Sequence, residues 1–250
     1  MRFRGQQWNG KGVQVALIDS GVDTSDPRFE NARMDGWRVG VNATGHAQLG
    51  SDFQDKNGHG TEVAAVVLRD APGVELTAIQ VTDSALQTSP EALAAGIETA
   101  FRHGAQVINV SLAAVDEGRQ QLLRDACSLA REHGAWVVAT AHPLGQPAFP
   151  GDCPESISVF AHPDCPLGRI YYFDTESSLN SLYKPFSGRF LTHGFCNSTA
   201  PEYRGAGMAT AALTARLACL LQALPDTSPA EVLAALIQQS LSPDPALGFE

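Results

Sequence analysis

Five short apolar runs punctuate the chain: 13–18 (VQVALI), 74–81 (VELTAIQV), 105–110 (AQVINV), 135–141 (AWVVATA) and 156–161 (SISVFA). They are nearly continuous rather than alternating, the pattern of strands covered on both faces. Between them, apolar positions recur at helical spacing. Segment 59–69 carries Val63, Val66 and Val67. Segment 90–103 opens on Ser89-Pro90-Glu91, a capping serine and a proline at the first helical position. It presents Leu93, Ile97, Ala100 and Phe101 on one face and closes at Gly104. Segment 116–133 presents Leu122, Leu123, Ala126, Leu129 and Ala130, and Gly134 ends it. Segment 208–223 is small and apolar all round, so it predicts a buried helix. Segment 229–241 starts with Ser228-Pro229-Ala230-Glu231, a capping box.

Alternating strands and helices predict an α/β fold with a mostly parallel central sheet and helices on both faces. In such sheets the functional site lies beyond the carboxyl ends of the strands. Asp19, Ser111 and His142 all stand at such ends. Segment 162–204 breaks the pattern. It holds Tyr171, Tyr172, Phe173, Tyr183, Phe186, Phe190, Phe195 and Tyr203, more than a third of the aromatic residues, together with Arg169, Lys184, Arg189 and Arg204. It reads as irregular, aromatic-rich hairpins and loops that either cover the core or offer a partner surface. No repeat, low-complexity tract or linker divides residues 1–250, so one domain is expected.

Composition narrows this picture. A length of 250 residues with 44% hydrophobic content suits one core. The net charge of −10 argues against a nucleic-acid partner, which calls for basic stripes. No run of 18 apolar residues occurs, so no membrane span is expected. The first residues carry no apolar stretch of a secretory signal. The five cysteines are odd in number and loosely spaced, and Cys127 and Cys219 lie in helical apolar patterns. Together these features point to a reducing cytoplasm. Two His-x-x-Cys pairs, His162 with Cys165 and His193 with Cys196, have zinc-compatible spacing but read as ordinary loop residues. A Cys153–Cys165 disulfide is likewise disfavoured.

Four stretches carry a resemblance. They are Gly10-Lys11-Gly12 followed by VQVALIDSGVD, Asn57-Gly58-His59-Gly60-Thr61-Glu62-Val63-Ala64, Val107-Ile108-Asn109-Val110-Ser111-Leu112, and Gly205-Ala206-Gly207-Met208-Ala209-Thr210. In this order and near this spacing they resemble the subtilase family of subtilisin-like serine proteases. Phe149-Pro150-Gly151 with SISVFA, and the final SPAEVLAALIQQSL, are weaker echoes. The resemblance implies the three-layer subtilisin-like fold. It also implies that Asp19 and His59 stand where the family has its catalytic carboxylate and base, and that Ser111, Leu112, Ala113 and Ala114 line the substrate cleft.

Several positions depart from the family pattern. Gly207 occupies the place of the nucleophilic serine, in Gly205-Ala206-Gly207-Met208-Ala209-Thr210 where the family has G-T-S-M-A-[ST]-P. Glycine cannot form an acyl-enzyme. The oxyanion asparagine is matched by Pro143 without a gap, or by His142 with a shift of one. Proline has no side-chain donor; histidine has one. Ala113 and Ala114 replace a glycine pair and narrow one cleft wall. Arg28 stands at an aspartate that binds calcium in many members, and the loop at 69–73 is short, so no metal is expected and no cofactor is implied. No folding prosegment is visible, which fits an intracellular protein. The expected function is that of a catalytically inactive pseudoprotease, with Asp19 and His59 as a remnant pair. It would bind a peptide or protein partner, as an accessory factor in peptide or protein processing or maturation. The alternatives are an active endopeptidase whose serine was artificially exchanged for Gly207, or a hydrolase that pairs Asp19 and His59 with another nucleophile. Cys196, Ser198 and Thr199 are candidates for that last role.

Overall fold

A computed structural model describes residues 1–42, 47–114, 117–142, 146–162, 165–173, 189–193 and 205–242. A small hairpin, β1 (Arg2–Phe3) and β2 (Gln6–Gln7), precedes the first core strand, β3 (Gln14–Asp19). The chain continues through β4 (Met34–Val41), β5 (Ala47–Gly50), α1 (His59–Asp70), β6 (Glu75–Gln80), α2 (Pro90–Arg102) and β7 (Val107–Val110). It then runs through α3 (Gln120–Glu132), β8 (Trp136–Thr140), β9 (Ser156–His162), β10 (Ile170–Phe173), β11 (Arg189–His193), α4 (Ala206–Ala223) and α5 (Pro229–Gln238). Among the described residues nine strands form one sheet, in the order β10-β11-β9-β8-β7-β3-β6-β4-β5. All neighbours pair in parallel except the two edge hairpins, β10–β11 and β4–β5.

The five apolar runs form β3, β6, β7, β8 and β9. Along β3, Val15 and Leu17 join one core with α1, α4 and α5, while Ala16 and Ile18 join the opposite core with α2 and α3. This two-sided burial is why the runs are continuous. Helix caps follow the expected chemistry. Ser89 Oγ accepts from Ala92 N at 3.1 Å, and Ser228 and Glu231 close a reciprocal capping box. The 18-residue helix α4 is long and apolar enough overall to cross a membrane, although it carries Arg216 and Gln222, but it packs against β7, β8, β9, β11, α1 and α5, and that burial accounts for its composition.

Four expectations need correction. The β4–β5 hairpin was not foreseen, because its edge position lets charged residues and glycines interrupt the apolar signal. Segment 162–204 is not wholly irregular: its described part contains β10 and β11. The segment expected as one helix over 116–133 opens with a 3-10 turn at Glu117–Arg119 before α3. The last helix stops at Gln238, and Leu241 leaves it to pair with β10, donating to Ile170 O at 2.8 Å and accepting from Tyr172 N at 3.0 Å. Cys127, Cys153, Cys165 and Cys219 are buried. Cys153 stands beside Cys127, not Cys165: a hydrogen bond between the two thiols, with burial, raises the Cys153 pKa strongly. The parallel register sets His193 of β11 against His162 of β9, but Cys196 lies outside the described residues.

Candidate active site

The site starts from two turns that must touch. Asp19 ends β3, and His59 is the first residue of α1. A carboxylate builds the helix entrance: Asp55 Oδ1 accepts from Asn57 N and Gly58 N at 2.9 and 2.8 Å. Its Oδ2 accepts from Thr61 N and Thr61 Oγ1 at 2.9 and 2.6 Å. This satisfies the free amides of the first turn and places negative charge at the positive helix end. Gly60 packs so closely on Gly21 O that a Cβ there would collide with it, and Gly60 N donates to Ser20 Oγ at 2.9 Å. Glycine at 60 therefore lets α1 dock on the turn after β3.

The docking brings Asp19 and His59 together. His59 Nδ1 donates to Asp19 Oδ1 at 2.7 Å, and Ser20 N donates to the same oxygen at 2.7 Å. Both side chains are largely buried, with exposures of 16% for His59 and 1% for Asp19. Burial alone would lower the His59 pKa. The charge and hydrogen bond of Asp19, helped by the charge of Asp55, outweigh it and hold the value above the ordinary range. With Nδ1 committed to Asp19, Nε2 faces the start of α4.

Gly207 stands there. A Cβ on Gly207 would lie 3.1 Å from His59 Nε2 and 3.3 Å from Ser111 Cβ. The structure thus gathers Asp19, His59 and Gly207 from β3, α1 and α4, as the sequence motifs implied, and sets Ser111 beside them. Ser111 follows β7 and is buried. Asn109 Nδ2 donates to Ser111 Oγ at 2.6 Å, and Thr214 Oγ1 of α4 donates to Asn109 Oδ1 at 3.0 Å. This Thr214–Asn109–Ser111 relay was not foreseen. Its partners are 105 residues apart, and only the polar Asn109 inside an apolar strand hinted at it.

Beyond Ser111 the cleft wall continues through half-buried Leu112, exposed Ala113 and half-buried Ala114. The backbone of Ala114 is already paired. Its N–H donates to Phe149 O at 2.8 Å and its C=O accepts from Phe149 N at 2.9 Å. At Ala114 both backbone groups are therefore already committed and cannot pair with an incoming strand. His142 follows β8 at the carboxyl end of the sheet and is half-buried. Pro143, Ser198, Thr199 and Cys196 lie outside the described residues.

At the expected calcium-ligand position, Arg28 NH2 bonds Asp26 Oδ2 at 2.6 Å and Glu62 Oε1 at 2.7 Å. The guanidinium puts positive charge between two carboxylates. Among the described residues no group of three or more His, Cys, Asp or Glu side chains is arranged to hold a metal.

A parallel α/β sandwich with a buried carboxylate on the first core strand and its histidine partner at a helix start defines a subtilisin-like protein. The chain belongs to the subtilase family, whose profile matches residues 10–249. It is 29% identical to thermitase of Thermoactinomyces vulgaris over 222 residues, which cover 82% of this chain and 74% of thermitase. It is 28% identical to subtilisin E of Bacillus subtilis (strain 168) over 246 residues, covering 91% of this chain but only 60% of subtilisin E. It spans a third of another relative, the minor extracellular protease Epr of the same organism, at 25% identity. Among solved structures, a cold adapted subtilisin-like serine proteinase superposes with a TM-score of 0.71 at 20% identity, covering 93% of this chain and 83% of that one. The prenylagaramide maturation protease PagA superposes with a TM-score of 0.62 at 23% identity, covering 84% of this chain and 75% of that one. A lanthipeptide protease does so with a TM-score of 0.61 at 19% identity, covering 88% and 77%. These likenesses show the fold.

Proposed function

We propose that this chain is a catalytically inactive subtilase that holds a peptide or protein segment in its cleft without cutting it. One observation carries this reading. His59 Nε2, the atom that would take a proton from a nucleophile, faces Gly207, which has no side chain. A base oriented by Asp19 has nothing at residue 207 to activate. An extended segment would lie along Ser111, Leu112 and Ala113, the stretch before the committed backbone of Ala114. Two fold neighbours are named for peptide maturation and for lanthipeptide processing, which by analogy of fold favours an accessory role in such a process. The buried thiols Cys127, Cys153 and Cys219 fit a reducing compartment, and the cytoplasm is part of the proposal. The test incubates the purified, inhibitor-treated protein with a labelled peptide library. Retention of intact peptides is expected; turnover of the library would overturn the reading. Native mass spectrometry with proteins encoded nearby would then identify the partner.

A second reading rests on Ser111. Its Cβ and the His59 ring both border the space that a side chain on Gly207 would fill. Asn109 donates to Ser111 Oγ, so the hydroxyl proton is directed elsewhere. Ser111 would then be the alternative nucleophile for the Asp19–His59 pair. A fluorophosphonate adduct located on Ser111 by mass spectrometry would establish this reading, and an unlabelled Ser111 supports the first.

A further inference from the structure

A cavity of about 170 Å³ opens between α1, α4 and the turn that enters β10. On α4 its wall is Met208, Ala212 and Arg216, spaced four residues apart and so stacked on one face. Val66, Arg69 and Asp70 face it from α1. Leu167, Arg169 and Ile170 close the third side. Apolar carbon makes up most of the lining, and Leu167 stands 49% exposed at the rim.

The charges in this pocket do not balance. Three guanidiniums and one carboxylate line it, with Met1, whose α-ammonium donates to Trp8 O at 2.7 Å, in a chain whose net charge is −10. The carboxylate is already engaged, since Arg69 Nε and NH2 donate to Asp70 Oδ1 and Oδ2 at 2.8 and 2.7 Å. Arg216 and Arg169 have no side-chain hydrogen bond or ion pair among the described residues. Arg216 is also half-buried. Burial disfavours its charged form and lowers its pKa, while the electrostatic pull of Cys219 and Asp70 offsets only part of that cost. A partly desolvated guanidinium without a counter-ion is an unusual element of a folded interior. An anion entering from solution would supply the missing partner, and arginine receives carboxylates with two parallel hydrogen bonds.

We propose that this cavity binds an aliphatic carboxylate, with the carboxylate on Arg216 and Arg169 and a short branched tail against Val66, Met208, Ala212 and Ile170. The site is separate from the Asp19–His59 cleft and does not depend on the function proposed for that cleft. The shared chemistry has two sources: a free short-chain acid, or the C-terminal residue of a peptide.

Isothermal titration of the whole chain tests it with 3-methylbutanoate, N-acetyl-leucine, 3-methylbutanamide and inorganic phosphate. The expected result is saturable binding of at least one of the two carboxylates, with the amide and phosphate at least tenfold weaker. N-Acetyl-leucine binding at least as tightly as the free acid identifies a peptide C-terminus as the source; the reverse order identifies a free acid. Arg169→Met, on an exposed turn, weakens the carboxylate about tenfold, and Ala212→Leu, which fills the pocket, abolishes binding. Arg216→Met does the same as Arg169→Met or more, and a thermal melt checks that it folds. Equal binding of acid and amide, phosphate binding as tightly as the acids, no binding of either acid, or indifference to Arg169→Met and Ala212→Leu would each overturn the proposal.

Discussion

Replacing Asp19 by asparagine gives the sharpest test of the electrostatics at His59. The amide keeps the shape of the carboxylate but removes its charge. Two opposing influences then separate. Burial disfavours the imidazolium, and at present Asp19 more than offsets it, with Asp55 as a lesser ally. In Asp19→Asn burial prevails, so the His59 pKa falls. The energy at stake is that of a hydrogen bond to a charged group, about 1.5–3 kcal/mol. Both partners are largely shielded from water, which places the effect in the upper part of that range. The sign follows from linkage. In the parent protein the folded pKa lies above the ordinary value near 6.5. Its contribution to stability is therefore full below about 6.5 and is lost as pH rises through the folded value. In the variant the contribution vanishes or reverses. The gap in thermal midpoint between the two proteins should widen on going from pH 8 to pH 5, reaching roughly 3–12 °C for a chain of this size. NMR of the His59 Cε1–H resonance reads the titration directly. An unchanged His59 midpoint in Asp19→Asn, or a stability gap independent of pH, would refute the account.

Gly207→Ser should fold, because its Cβ contacts of 3.1 and 3.3 Å require shifts of only a few tenths of an ångström. If the proposed loss of the oxyanion donor holds, its reaction with a fluorophosphonate should trail an active subtilisin by about 10²–10³-fold; labelling at the full subtilisin rate would refute that loss. Thr214→Val leaves buried Asn109 Oδ1 without its donor and should cost about 1–3 kcal/mol in urea unfolding; an unchanged midpoint would remove the relay from the account of Ser111. Arg28→Ala should cost about 1 kcal/mol at neutral pH, reduced from the buried-pair value because the side chain is 43% exposed. The hydrogen bond from Arg28 holds the Asp26 pKa below the ordinary range, so this contribution should disappear as pH falls through the carboxylate range. A loss independent of pH would point to packing instead.

The central sheet was legible because its strands are buried on both faces. Runs such as VQVALI and AQVINV carry their signal in every residue. The edge hairpin β4–β5 was not, since a strand with one solvated face and charged positions resembles a loop in one dimension. The grouping of Asp19, His59 and Gly207 came from short motifs, each of which encodes its own turn. Ser111 was expected in the cleft wall, but its closeness to His59 and its bond from Asn109 were not. Those depend on β7 and α4 packing together, and no local pattern links residues 109 and 214. The arginine-lined cavity was invisible for the same reason, since Arg69, Arg169 and Arg216 belong to three different elements.

The Arg28 bridge has one further consequence. A dissociable ion stabilises a fold only in proportion to its concentration and affinity, through mass action. A guanidinium built into the chain is present at fixed stoichiometry and cannot be diluted away or chelated. The corner that joins Asp26 to Glu62 therefore keeps its positive charge in any buffer, and only a change of pH, salt or sequence can loosen it.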